Sequence, residues 1–230
     1  MMTPRLMSAA GFVSCGATVA DVGTDHAYIP IWLVKNGVCP GAVAMDINQG
    51  PILRAEENIR KFGLETKIRT KLSDGLAALE PNEADTVVIA GMGGETILSI
   101  LKAAPWTADG HHTLLLQPQT HEELVRQYLA ENGFIITREA LVRDRGTLYT
   151  VMEARAGKAK LTLTQIWGGV CLLQDPLADR YIIEKIVRTQ AALAGAKRSA
   201  RPADAERAEE LRAVLTALLR AREEWRHANC

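Results

Sequence analysis

The sequence predicts an α/β fold in which helices cover a mostly parallel sheet and a separate helical segment follows. Short β-rich runs alternate with helical patterns from residue 17 to about residue 155, and the last two of those runs follow each other directly. Only helical patterns occur after residue 157. We therefore expect one α/β domain at residues 1–157 and a helical hairpin resembling a coiled coil at residues 158–230.

The elements of the sheet domain follow from residue composition and from the glycines that end helices. Seven strands are expected, at residues 18–22, 42–46, 68–72, 86–90, 113–117, 134–142 and 148–154. Four helices are expected between them, at residues 29–36, 51–62, 95–103 and 122–131. Gly37, Gly63 and Gly133 follow three of these helices, as is common at helix C-termini. No helix separates the last two strands, which should therefore form an antiparallel hairpin at one edge of the sheet.

The segment after residue 157 carries two apolar stripes. Helices are expected at residues 176–197 and 203–226, joined at residues 199–202. The stripe of the second helix repeats near three- and four-residue spacing and comprises Leu211, Val214, Leu215, Leu218, Leu219 and Trp225. The two stripes should pack against each other as a helical hairpin. At its tip, Lys197, Arg198 and Arg201 form a basic cluster that would suit phosphate, although a solvated helix face is the simpler explanation.

Composition excludes several classes of protein. The 27 Lys and Arg residues equal the 27 Asp and Glu residues in number, so any nucleic-acid binding must come from a local patch. The four cysteines are far apart and contain no Cys-x-x-Cys pair, which argues against a zinc site or a disulfide framework and fits the cytoplasm. No apolar run reaches the roughly 18 residues of a membrane-spanning helix.

The first strand ends in a turn suited to a cofactor, Asp21-Val22-Gly23-Thr24-Asp25-His26. Gly23 allows a tight turn and the close approach of a ligand. A dinucleotide would require Gly-x-Gly-x-x-Gly, and only the first glycine is present, so no pyrophosphate is expected. Asp21 and Asp25 suit the ammonium and sulfonium groups of S-adenosylmethionine. A structural turn in which Asp25 caps the next helix is the alternative.

The next strand ends carry further polar groups. Asp46 ends the second strand near the roughly 20-residue spacing that a ribose-binding acid keeps from the first turn. The third strand runs into Ser73-Asp74-Gly75, where Asp74 could accept a hydrogen bond from an adenine amino group. Each feature alone is an ordinary turn. Together they outline the ligand crevice at the carboxyl ends of parallel strands.

The fourth and fifth strands end in Ala90-Gly91-Met92-Gly93-Gly94 and Gln117-Pro118-Gln119. The glycines of the first motif allow both cofactor and substrate to approach the backbone. No Lys-Ser or Lys-Thr follows them, which argues against a phosphate-binding P-loop. The amides of the second motif could bind the edge of a base, and an ordinary strand-to-helix turn explains them equally well.

These motifs closely resemble those of the bacterial tRNA adenine-22 N1-methyltransferases. The resemblance rests on the ten residues from Asp21 to Pro30, on the glycine-rich turn, on Gln117-Pro118 and on the helical hairpin, and it extends over nearly the whole chain. It implies a Rossmann-like class I methyltransferase fold, S-adenosylmethionine as methyl donor, no metal, and adenine N1 in the D-arm of tRNA as acceptor. Two positions depart from the family pattern, Gln119 in place of Asn and Arg143 in place of an acidic residue.

The resemblance, together with the strand ends, predicts the site residues. The cofactor-binding set is Arg5, Asp21, Gly23, Thr24, Asp25, His26, Asp46, Ile47, Asp74, Gly75, Ala90, Gly91, Met92 and Gly93. Asp25 and Gln117 are the catalytic candidates, because they could hold the base or favour its developing positive charge. Adenine N1 has a free lone pair, so the reaction needs positioning and no general base. The protein is expected to be a monomer or a weak dimer.

Two other functions remain open from the sequence. One is methylation of another RNA, a protein or a metabolite. The other is a binding module without catalysis that senses a nucleotide in the crevice. Asp21, Asp46 and Asp74 occurring together favour the enzyme, because a docking protein would not need all three.

Overall fold

The computed structural model describes residues 2–198 and 201–229 and confirms the α/β sheet. Its strands are β1 (Val19–Val22), β2 (Ala42–Asp46), β3 (Ile68–Leu72), β4 (Thr86–Met92), β5 (Thr113–Pro118), β6 (Phe134–Asp144) and β7 (Thr147–Ala156). They form one sheet in the order β3-β2-β1-β4-β5-β7-β6. The pairs among β1 to β5 are parallel, and β7 runs antiparallel to β5. The hairpin of β6 and β7 closes one edge, as the sequence predicts.

Eight α-helices occur in the described residues. They are α1 (Pro4–Ala10), α2 (Tyr28–Lys35), α3 (Gln49–Lys61), α4 (Gly94–Ala103), α5 (Glu122–Glu131), α6 (Leu163–Gly168), α7 (Ala178–Arg198) and α8 (Pro202–Asn229). The expected helices match α2 to α5, α7 and α8 to within a few residues. Helices α1 and α6 are not expected from the sequence, because seven and six residues are too short to show a helical period.

The chain forms two compact units. The first comprises residues 1–138 and 142–159, and the second comprises residues 139–141 and 160–230. The first contains most of the sheet and helices α1 to α5, and the second contains α6 to α8. Ser199 and Ala200, in the expected loop between the two long helices, lie outside the described residues. None of the helices in the described ranges is long and apolar enough to cross a membrane.

The core of the first unit consists of the central parallel strands. All four residues of β1 are buried, and so are Val87, Val88 and Ile89 of β4 and Leu114, Leu115 and Leu116 of β5. A parallel sheet covered on both faces requires such continuous apolar strands. This sheet holds the carboxyl ends of its parallel strands side by side, at the side of the sheet that we call the carboxyl edge.

The second unit is held by apolar helix packing and by two carboxylates. Leu193, Ala196 and Ala208 form a buried cluster between α7 and α8, and Leu211 and Leu215 pack against it. Leu219 is 50% exposed, so the predicted stripe on α8 is narrower than the sequence pattern suggests. The Glu139 carboxylate accepts hydrogen bonds from the backbone N–H groups of residues 170 and 171, and the Asp175 carboxylate accepts one from residue 141.

Candidate cofactor and substrate site

Two neighbouring cavities lie at the carboxyl edge of the sheet in the first unit, and both are lined by Gly23. The first has a volume of about 330 Å³ and the second about 380 Å³. The first is lined by Arg5, Asp21, Gly23, Thr24, Asp25, His26, Ala90 and Gly91, among others. The second is lined by Gly23, Asp46, Ile47, Asp74, Gly75, Met92 and Gly93, among others. The fold therefore brings the whole predicted cofactor set to one crevice.

Gly23 lines both cavities, and its backbone conformation explains why glycine occupies this position. Its φ is 78°, and a Cβ at this position would lie 2.0 Å from Cε of Met92. The backbone N–H groups of Gly23 and Thr24 both donate to the carbonyl of Met45 at 2.8 Å. The positive φ makes a side chain at this position strained and favours glycine, whereas the flexible end of Met92 could move aside.

Asp21 is a buried carboxylate in the wall of the first cavity, with 5% of its surface exposed. Burial raises the pKa of Asp21 to about 6, the nearby Thr24 hydroxyl opposes this shift, and the charge of Asp46 adds to it. An ionised carboxylate in such a place is costly unless a cation compensates it. Asp21 is therefore suited to a cationic ligand in the first cavity.

Asp25 and His26 lie at the rim of the first cavity, where other side chains hold them. The Asp25 carboxylate accepts from Nη2 of Arg54 at 2.9 Å and lies 3.5 Å from Nε2 of His26. The amide of Asn58 donates to the His26 carbonyl at 3.1 Å, and the His26 ring stacks on Tyr28. Arg54 thus balances the charge of Asp25. The sequence did not indicate this partner, because α3 carries several charged residues and nothing distinguishes Arg54 among them.

The polar groups of the second cavity are oriented by their own turns. Oδ1 of Asp46 accepts from the backbone N–H of Asn48 at 2.8 Å. The Ser73 hydroxyl donates to the carbonyl of Gly75 and accepts from the N–H of Ala78, each at 3.0 Å. These bonds fix the turn that presents Asp74 to the cavity. Carboxylates at the ends of two adjacent strands therefore face one cavity.

Gln117 does not line either cavity, which corrects its expected role as a base-contacting residue. It has no exposed surface; its Oε1 accepts from the N–H of Gly91 at 3.1 Å and its Nε2 donates to the carbonyl of Pro118 at 2.8 Å. Both ends of the amide are used inside the protein, so it cannot reach a substrate without breaking them. Gln117 instead supports the Gly91 turn from behind.

Gln119 holds Gly91 from the other side. Its Nε2 donates to the Gly91 carbonyl at 2.7 Å, and its own N–H donates to the carbonyl of Met92 at 2.8 Å. Gly91 has a φ of 83° and is thus fixed in a left-handed conformation by two glutamines. Gln119, one of the two departures from the expected family pattern, thus contacts the glycine-rich turn.

Arg5 reaches the crevice from α1. Its Nε lies 3.8 Å from Oδ2 of Asp144, and its guanidinium lies over the Tyr149 ring at 5.3 Å from the centroid. Sequence reasoning missed Asp144 and Tyr149, which belong to the β6–β7 hairpin and bear no motif. Within residues 2–198 and 201–229, no group of three or more His, Cys, Asp or Glu side chains could hold a metal ion.

Comparison with known proteins gives consistent matches. A family model described as a methyltransferase domain matches residues 2–152. The tRNA (adenine(22)-N(1))-methyltransferase of Bacillus subtilis (strain 168) is 37% identical over 156 residues, which are 68% of this chain and 66% of that protein. The sequence match thus spans just under two thirds of that relative.

Solved structures extend the match over almost the whole chain. The B. subtilis M1A22 tRNA methyltransferase TrmK aligns with a TM-score of 0.89 at 28% identity, covering 96% of this chain and 99% of that one. Streptococcus pneumoniae Sp1610 in complex with S-adenosyl-L-methionine aligns with a TM-score of 0.85 at 32% identity, covering 96% and 100%. The crevice, the sheet order and these matches agree, and the chain belongs to the methyltransferase-domain family and, within it, to the TrmK-like class I methyltransferases.

Proposed function

We propose that this protein is an S-adenosylmethionine-dependent methyltransferase that methylates N1 of an adenine, position 22 in the D-arm, of tRNA. The observation that carries the proposal is the pair of cavities that share Gly23 in their walls, with a buried carboxylate in one and two strand-end carboxylates in the other. The relatives named above have this reaction in their names or hold this cofactor.

The residues of the crevice fit this cofactor. Asp21 would bind its ammonium group, because a cation compensates the cost of ionising that buried carboxylate. Asp46 would accept hydrogen bonds from the ribose hydroxyls and Asp74 from the adenine amino group. Gly23, where the two cavities meet, leaves room for the chain between these groups. When bound, S-adenosylmethionine supplies the transferred methyl group.

The task of the protein is then to position the target base. Adenine N1 has a free lone pair at neutral pH and needs no deprotonation, so orientation of the base provides the catalysis. A base in a stem must leave the stack to reach the crevice. Gly91, fixed by Gln117 and Gln119, forms a rigid backbone edge beside the first cavity. Asp25, with Arg54 as its partner, is our candidate for contacting the base at the rim.

The second unit would bind the tRNA body with its coiled-coil-like pair of long helices. Lys197 and Arg198 are exposed in the last turn of α7 and would contact phosphate. Arg201 already forms an ion pair with Asp204 at 2.7 Å, so it would contribute less. We further propose that the protein acts in the cytoplasm, where tRNA is modified, as a monomer or weak dimer.

The proposal is tested by methyl transfer to matched tRNAs. The purified full chain is incubated with methyl-labelled S-adenosylmethionine and unmodified bacterial tRNA carrying adenine at position 22, and in parallel with the same tRNA carrying guanine there. Label in the first tRNA alone is the expected result. If both tRNAs are labelled equally, the methyl acceptor is a nucleotide other than position 22. If the protein binds the cofactor but transfers no methyl group, a nucleotide-sensing module is supported instead.

A further inference from the structure

The loop that joins β6 and β7 is strained at one residue. The chain turns through Arg145 and Gly146, whose φ angles are 49° and 87°. Positive φ at both positions of a two-residue hairpin loop is the pattern of a type I′ turn, which favours Asn-Gly or Gly-Gly. Gly146 adopts this conformation freely, whereas the Cβ of Arg145 opposes it. An arginine kept in this conformation points to a function for its side chain.

The sheet register places this turn beyond the carboxyl end of β5. Strand β7 pairs antiparallel with β5 from Thr113 opposite Arg155 to Leu116 opposite Met152. The start of β7 therefore continues past the carboxyl end of β5. If the register is continued to Pro118, Thr147 lies about 10 Å beyond the end of β5 at 3.4 Å per residue. The turn projects from the same edge of the sheet that carries the cavities.

The base of the turn is anchored to the first cavity. Asp144 is buried and lies 3.8 Å from Nε of Arg5, which itself lines that cavity. Arg143 and Arg145, on either side of Asp144, are exposed. In the described part of the chain neither of these two arginines lies within 4 Å of a carboxylate. The turn thus carries two uncompensated guanidinium groups on either side of a residue that contacts Arg5 in the wall of the first cavity.

We propose that Arg145, with Arg143 beside it, binds the phosphate backbone of the RNA next to the target nucleotide. This inference rests on the proposed function, because it assumes an RNA substrate whose base enters the first cavity. A nucleotide whose base leaves the stack needs its backbone held at the mouth of the pocket. Guanidinium suits this task, since its planar donors bind phosphate oxygens in pairs.

The test compares two variants that each replace one exposed arginine of the first unit by asparagine. Arg145→Asn removes the charge and relieves the turn, because asparagine tolerates positive φ. Arg60→Asn is the control: Arg60 lies in the last turn of α3, and this helix returns from the carboxyl edge towards the opposite edge of the sheet. Binding of unmodified tRNA is measured for both variants across a range of salt concentrations, together with thermal stability and S-adenosylmethionine affinity.

Arg145→Asn should raise the tRNA dissociation constant several-fold and lower the slope of log K against log salt by about one. Its cofactor affinity should match the wild type and its melting temperature should be equal or higher. Arg60→Asn should leave the slope unchanged. A third variant, Arg145→Lys, keeps the positive charge and should retain most of the wild-type affinity. Wild-type affinity and slope in Arg145→Asn, or an equal loss in Arg60→Asn, would overturn the inference.

The outcome is separable from that of the proposed function, because binding is measured without methyl transfer. If the wild type binds tRNA but transfers no methyl group to it, the proposed function fails and the two variants still decide the role of Arg145. If the wild type does not bind tRNA, both proposals are overturned.

Discussion

The crevice of the first unit and the basic tip of the second unit organise their charges in opposite ways. In the crevice, acidic groups far apart in sequence converge because parallel strands end on the same side of the sheet. Asp21 is buried there, and among the described residues it has no ion pair with a basic side chain. At the helical tip, basic groups are neighbours in sequence, and one of them, Arg201, is already paired with Asp204. The crevice therefore has the geometry to select a small cationic ligand, whereas the proposed role of the tip needs only general attraction between its basic groups and phosphate.

The largest effect is expected from Asp21→Asn. Removing the buried carboxylate should weaken S-adenosylmethionine binding by about 30-fold or more, as is typical when one partner of a buried charged pair is lost. Isothermal titration at pH 8 would measure the loss. Binding at wild-type affinity would exclude Asp21 as the cation partner.

The same variant should be more stable than the wild type without ligand. Because the pKa of Asp21 is raised to about 6 in the folded protein, ionising it costs stability as pH rises from about 4 to about 6. Above pH 6, Asp21→Asn should gain up to about 3 kcal/mol in free energy of unfolding, and at pH 4 the two proteins should match. A variant destabilised equally at both pH values would show that Asp21 has a structural role only.

Asp46→Ala should have the next largest effect. Loss of the ribose hydrogen bonds should weaken cofactor binding by about tenfold or more, since each bond to a charged acceptor contributes roughly 1.5–3 kcal/mol. Asp85→Ala provides a control, because Asp85 bonds Thr18 at the other end of the sheet. Unchanged affinity in Asp46→Ala would remove the ribose assignment.

Cofactor affinity should depend on pH through Asp21. If the ionised carboxylate binds the cation as proposed, affinity should fall by about tenfold between pH 7 and pH 5, because the pKa of Asp21 is near 6. In Asp21→Asn the affinity should be flat over this range. An equal pH dependence in both proteins would assign the titration to another group.

The smallest effect is expected at the helical tip. Lys197→Ala together with Arg198→Ala should raise the tRNA dissociation constant several-fold and lower the salt slope by about two. Arg201→Ala should change both values less, because Asp204 already compensates its charge. An Arg201→Ala loss as large as that of the double variant would contradict the difference drawn between paired and unpaired charges.

The sequence predicted the elements that carry a period or a motif. Gly23, Asp46 and Asp74 could be assigned to one crevice from the sequence, because neighbouring parallel strands end on the same side of the sheet and bring these residues close together. The short helices α1 and α6 were missed, since so few residues show no period. The Arg54–Asp25 pair was missed because it depends on tertiary packing between α3 and the first turn.

Gln117 illustrates the limit for a single side chain. Its place at the end of β5 was predictable, but the direction of its amide was not, because Gly91 and Pro118 capture both ends of it. The left-handed conformation of Arg145 was likewise not predictable from the residue itself. It follows from the two-residue length of the loop between β6 and β7.

Nucleoside analysis of the reacted tRNA decides whether the crevice presents adenine N1 to the methyl donor. After reaction with S-adenosylmethionine, the tRNA is digested and its methylated nucleosides are separated and identified by mass spectrometry against standards. We expect 1-methyladenosine, and we expect it to be lost when adenine 22 is replaced by guanine. N6-methyladenosine, or a methyl group on any other base, would contradict it.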